Sequence, residues 1–170
     1  FLSEFKASNT SVKKEKKKKK IRVMSIEEQN LFMRYSKNSQ FYDLYMVALG
    51  TGMRNGELRA LQWADIDFDN KIIHVNGTLK YIAKAKVKYM IDEPKSETSK
   101  RDIPMLDNLV TVLREHRKRP LATRMLLGDK WRPEPGFENL VFTGSFGRCI
   151  SENALYQDMK KIIVQIREDG

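Results

Sequence analysis

The sequence predicts a mainly α domain that carries one small three-stranded antiparallel β-sheet, an α+β arrangement with the strands gathered mid-chain. Three observations predict it. Apolar residues recur at helical spacing ahead of Gln62 and again after Asp107. Extended, β-branched segments fall between those two regions, and no strand–helix–strand repeat of the kind a parallel sheet needs is present. At 41% hydrophobic over 170 residues, the chain has enough apolar material for a core.

The elements follow in order. Ser25-Ile26-Glu27-Glu28 is a capping box, in which Ser25 accepts from first-turn amides while Glu28 reaches back. It opens a helix over 26–37 with Ile26, Leu31, Phe32 and Tyr35 inward. A second, strongly apolar helix spans 40–50 through Phe41, Leu44, Tyr45, Val47, Ala48 and Leu49. Gly50-Thr51-Gly52 ends it, and a third helix runs from near Arg54 to Leu61. Asp65 to Asn70 is turn chemistry, followed by the strand Lys71-Ile72-Ile73-His74-Val75. Extended segments at 86–91 and 100–105 complete the expected sheet, kept short or edge-like by Pro94 and Pro104. Asp107 is expected to cap a helix over 108–118 that Pro120 stops. A loop with helical turns covers 120–139, and Leu140-Val141-Phe142-Thr143 is a short apolar piece. Ser151 then caps a last helix that buries Leu155, Met159, Ile162, Ile163 and Ile166.

Composition removes several classes of function. No stretch approaches the roughly 18 apolar residues of a membrane span, and no signal-peptide core opens the chain. One cysteine, Cys149, excludes an internal disulfide and reads as a small buried hydrophobe. With two histidines beside it, a zinc site is not expected. The net charge of +10 points to a polyanion, and it is unevenly placed. Residues 1–22 hold nine basic side chains (Lys6, Lys13, Lys14, Lys16, Lys17, Lys18, Lys19, Lys20 and Arg22) against Glu4 and Glu15, a net of +7. The other 148 residues carry only +3. The division expected is therefore a basic linker or tail over 1–22 and a folded domain over 23–170.

The segment that carries chemistry is Thr51-Gly52-Met53-Arg54-Asn55-Gly56-Glu57-Leu58-Arg59-Ala60-Leu61. An apolar helix runs into a glycine turn, and an arginine opens the next helix, where an anion is favoured. The planar fork of Arg54 can grip two phosphate oxygens, and Glu57, three residues on, lies on the same face to orient it. Taken alone, the same two residues are equally a surface ion pair at a helix start. Continued through Gln62-Trp63-Ala64-Asp65-Ile66-Asp67, the string closely resembles the first arginine box of tyrosine recombinases. It is most similar to phage and conjugative-transposon integrases of bacteria. Ile21 to Gln29 resembles the entry into their catalytic domain. Glu93-Pro94-Lys95-Ser96 with Arg101-Asp102-Ile103-Pro104-Met105 resembles their β-hairpin, and 140–143 the short element after it.

The resemblance implies enzymes that cut and rejoin duplex DNA without metal or cofactor, through a 3′-phosphotyrosyl intermediate. It implies Arg54 as clamp on the scissile phosphate, Glu57 as its support and Lys95 as general acid to the leaving oxygen. Lys100 competes with Lys95, and Ser96 stands where the family usually has Thr. A His-x-x-Arg box and the tyrosine nucleophile are expected beyond Gly170, because the chain opens on Phe1 and closes without a final element. His116-Arg117-Lys118-Arg119 spells that box in the wrong place, and Tyr156 precedes it; neither is assigned the role. Trp63 and Trp131 are expected to pack rather than stack on bases. Lys16 to Lys20, with Lys84, Lys86 and Lys88 on one strand face, are the expected DNA-binding cations, and a solvated strand edge explains the last three equally well. A synaptic homo-multimer acting at the nucleoid of the bacterial cytoplasm, with no membrane partner, completes the expectation. The alternatives are a non-catalytic DNA-binding remnant of an integrase and, further off, a basic-tailed RNA-binding module.

Overall fold

The computed structural model describes residues 23–83, 88–92 and 100–169. Helices α1 (Ile26–Tyr35), α2 (Tyr42–Thr51) and α3 (Asn55–Ala60) come first. The strands β1 (Ile66–Asp67), β2 (Ile72–Val75), β3 (Thr78–Tyr81), β4 (Tyr89–Asp92) and β5 (Arg101–Pro104) follow, and α4 (Asp107–Leu127) and α5 (Glu152–Glu168) close the described chain. The protein is thus mainly helical with small antiparallel sheets, as the periodicity predicts.

The caps form as their residue types require. Ser25 Oγ accepts from the Glu28 N–H at 3.2 Å while Glu28 accepts from the Ser25 N–H at 2.9 Å. Ser151 Oγ accepts from the Ala154 N–H at 3.1 Å and starts α5. Helix α1 packs on α5 and α2 on α4, around a core of Phe32, Leu44, Val47, Ile73, Leu113, Val141 and Ile162. Two polar anchors, the buried Asp43 and the half-buried Asp158, tie the helices together. Asp158 of α5 accepts from Ser39 Oγ and Tyr45 Oη, each at 2.7 Å. Asp43 of α2 faces His116 Nδ1 at 2.7 Å and accepts from Arg119 at 2.8 Å, both on α4. The segment 140–142 is buried beside the end of α3, joined by the Val141 N–H donating to the Leu61 carbonyl at 2.8 Å.

Several details differ from the sequence expectation. A three-stranded antiparallel sheet is present, but its order is β1-β2-β5, and its third member is the two-residue strand after Asp65. The segment expected as the middle strand, β4, pairs instead with β3, a strand that is not among the three expected. A hairpin needs only local closure, so β4 takes the nearest partner, and β2 is left to pair with β5. Asp107 is the first residue of α4 rather than its cap, and Leu106 in the cap position supplies no side-chain bond. Pro120 lies inside α4 and does not stop it. Its missing N–H costs one bond, to the carbonyl four residues back, and the helix formers Leu121 to Leu127 carry the helix on to Gly128. Ile26 is 72% exposed, because the first turn of α1 projects past the core. Met159 and Ile163 are likewise exposed beside the buried Leu155 and Ile162.

Trp131 anchors the loop after α4. Gly147 has φ +78° and lies under the indole so closely that a Cβ would stand 2.6 Å from a ring carbon. Gly147→Ala therefore meets backbone strain and a clash together. In urea denaturation it is expected to lower the unfolding free energy by about 2–4 kcal/mol.

Candidate functional site

The site begins where α2 stops. Gly52 ends that helix at φ +64°, its N–H donating to the Ala48 carbonyl at 2.9 Å. Met53 drops into the core, and Arg54, in extended conformation, becomes the N-cap of α3. Helix α3 has only six residues, so the anion-attracting feature here is the Arg54 side chain rather than an extended helix dipole. Close packing fixes α3 in position: a Cβ on Gly56 would fall 2.5 Å from Thr78 Cγ2 of β3.

Glu57 organises what surrounds it. Its side chain is 6% exposed, and four hydrogen bonds reach its carboxylate. The Arg54 backbone N–H donates to Oε2 at 2.8 Å, and Arg54 Nη1 donates to Oε1 at 2.9 Å. Arg101 supplies a two-point fork, Nη1 to Oε1 at 3.0 Å and Nη2 to Oε2 at 2.8 Å. Burial by itself would raise the Glu57 carboxyl above its usual range. The Arg101 fork, the Arg54 N–H and the Arg54 guanidinium outweigh it and hold the group at about 2. Arg101 in turn is raised by that same bond. The Arg54 side chain is 77% exposed, so a cation tethered through one terminal N–H stands largely open to solvent. Such a group can take hold of a phosphate or a developing oxyanion.

Of the residues expected to act together, the structure brings Arg54 and Glu57 into contact. Lys95, Lys84, Lys86 and Lys16 to Lys20 lie outside the described residues. Lys88 is exposed just before β4, at the far end of the β3–β4 hairpin from Thr78, and its carbonyl accepts from Ile82 at 2.8 Å. Lys100 is exposed next to Arg101. His116 and Arg119 are both engaged by Asp43, and His116 Nε2 also faces the Val141 carbonyl at 2.9 Å. Tyr156 is exposed on α5. The Trp63 ring is covered by the Arg117 guanidinium. Cys149 is buried, and desolvation, followed by the nearby Glu134 carboxylate, pushes its thiol up to about 12.

Sequence reasoning missed two arginines. Arg101 opens β5, opposite Val75 in the ladder, and the only signal for it was its place in the hairpin string. Arg59 is buried on α3 and donates to Asn55 Oδ1 at 2.9 Å and to the Ile150 carbonyl at 3.1 Å, tying α3 to the start of the α5 segment.

Comparison with known proteins bears on this geometry. The model of the phage integrase family matches residues 22–167. A tyrosine recombinase XerC-like protein of Caldanaerobacter subterraneus is 33% identical over 157 residues, 88% of this chain and 39% of that protein. The transposase of transposon Tn916 from Enterococcus faecalis is 31% identical over 108 residues, 64% of this chain and 24% of its own length. The chain thus spans well under half the length of these curated relatives. Among solved structures, the Tn1549 transposon integrase in complex with a circular intermediate DNA superposes with TM-score 0.74 at 22% identity, over 90% of this chain and 48% of that one. XerA recombinase superposes with TM-score 0.57 at 18% identity, over 89% of this chain and 45% of that one. These two show the fold.

The ionised Glu57 makes stability depend on pH. Its folded value lies below its ordinary 4.5, so the stabilisation is complete above that value and disappears as pH falls toward about 2. The difference in unfolding free energy between the wild type and Glu57→Gln is expected to shrink by roughly 3 kcal/mol between pH 6 and about 2 in urea titrations.

Proposed function

The chain belongs to the phage integrase family, and we propose that it acts in site-specific DNA recombination and integration, with strands cleaved and rejoined through a 3′-phosphotyrosyl intermediate. In this proposal the chain supplies the first half of the active site. Arg54 clamps the scissile phosphate, Glu57 holds Arg54, and Lys95 gives a proton to the leaving 5′ oxygen. Residues 1–22 serve as a basic linker along DNA and 23–170 as the catalytic-domain part. Lys16 to Lys20, with Lys84, Lys86 and Lys88, track phosphates.

One observation carries the proposal: an arginine whose backbone N–H and one terminal guanidinium N–H both bind a buried carboxylate, while its side chain remains 77% exposed. A pentacoordinate phosphoryl transition state gains negative charge, and a cation already in position stabilises it without reorganising. An arginine free to wander would lose much of that benefit to solvent. Duplex DNA is the partner, and a homo-multimer on DNA is the acting assembly; the DNA-bound Tn1549 integrase with the same fold supports the first of these. Among the described residues no helix is long and apolar enough to cross a membrane, and action at the bacterial nucleoid is part of the same proposal.

Duplex binding measured across a salt series tests this. Arg54→Ala is expected to lower the slope of log K against log salt by roughly 0.9, the value of one phosphate contact, and deletion of residues 1–20 to remove most of the affinity. Unchanged slope in the first and unchanged affinity in the second would contradict the assignment. On a suicide duplex the 170-residue chain is expected to leave no SDS-resistant protein–DNA band. A band would place the nucleophile within it.

A further inference from the structure

A buried carboxylate beside an exposed arginine restrains as well as supports. Glu57 offers two oxygens, and Arg54, at the cap position three residues back, can reach both. Without another partner, Glu57 would draw Arg54 into a two-point pair, the strongest arrangement open to a guanidinium and a carboxylate. The Arg54 fork would then be spent on protein. The structure shows a different division. Arg54 gives Glu57 one side-chain N–H, and Arg101 occupies both oxygens. The remaining approach to Oε2 is used by the Arg54 backbone N–H. Arg101 is suited to this work, because β5 holds its backbone in the ladder opposite Val75, and its side chain is 33% exposed against 77% for Arg54.

Resting on the assignment of Arg54 as phosphate clamp, we propose that Arg101 is a positioning residue that keeps Arg54 available: by saturating Glu57 it limits the carboxylate to one N–H of Arg54 and leaves the outer guanidinium edge free. Arg101 acts through Glu57 and does not itself touch phosphate. The consequence is unusual for an ion pair. Removing Arg101 disables Arg54, and removing the charge of Glu57 as well restores it.

The test uses the full 170-residue chain, a short DNA duplex and a salt series, with folding checked by circular dichroism. Arg101→Met is expected to lower the salt slope by roughly 0.9, as Arg54→Ala does. The double variant Arg101→Met/Glu57→Gln is expected to regain the wild-type slope, and adding Arg54→Ala to it to abolish that gain. A wild-type slope in Arg101→Met, or a loss that persists in the double variant, would overturn the proposal. Should Arg101→Met not fold, the double variant decides alone, since a slope one phosphate below wild type would mean that Arg101 contacts DNA directly. A second readout needs no DNA: the Nε–Hε NMR signal of Arg54 is expected to shift in Arg101→Met and return in the double variant, and a signal that stays put overturns the proposal. If Arg54→Ala leaves DNA binding unchanged while that signal still shifts, the clamp assignment fails and the positioning by Arg101 stands.

Discussion

The geometry of the site depends on one constraint: a carboxylate removed from water must stay ionised and fully paired. Burying Glu57 alone would cost several kcal/mol or neutralise it. Two guanidiniums and a backbone N–H prevent that, and each of the three ties down a different part of the molecule. The Arg54 N–H fixes the first turn of α3. The Arg54 side chain is held through Nη1. Arg101 joins α3 to β5 across 44 residues, so one carboxylate positions the helix, the sheet and the exposed cation together.

The rest of the fold delivers these parts to that point. The glycine at 52 turns α2 toward Arg54, and the absence of a side chain at Gly56 lets α3 lie against β3. Pairing of β2 with β5 sets Arg101 opposite Val75, on the level where it meets Glu57. Farther away, Asp43 links α2 to α4 and Asp158 links α5 to α2 and the segment before it, each taking two side-chain partners from another part of the chain. The same arrangement accounts for His116 and Arg119, whose spacing suggests a catalytic box and whose contacts are with Asp43.

Much of this was legible in the sequence where the cause is local. Ser25 and Ser151 announce their helices because a cap is satisfied within three residues. Arg54 and Glu57 are legible as a pair for the same reason. Arg101 was not, because its partner is set by strand register, which no spacing in the chain encodes. The sheet's membership failed likewise: β1 is two residues long, and β3 carries little β-branched pattern to mark it against its neighbours. Pro120 misled because a proline removes only one hydrogen bond, and the helix formers after it outweigh that loss. The +10 charge pointed to a polyanion, but +7 of it belongs to residues 1–22, outside the described residues. What distinguishes the site is the placement of single charges.

The most direct measurement is a crystal structure of this chain bound to duplex DNA. The account predicts a backbone phosphate on the outer edge of the Arg54 guanidinium, with Glu57 still joined to Arg101 through both oxygens near 3 Å. A phosphate held by Arg101 instead, or Arg54 turned fully onto Glu57 with DNA bound elsewhere, would contradict it.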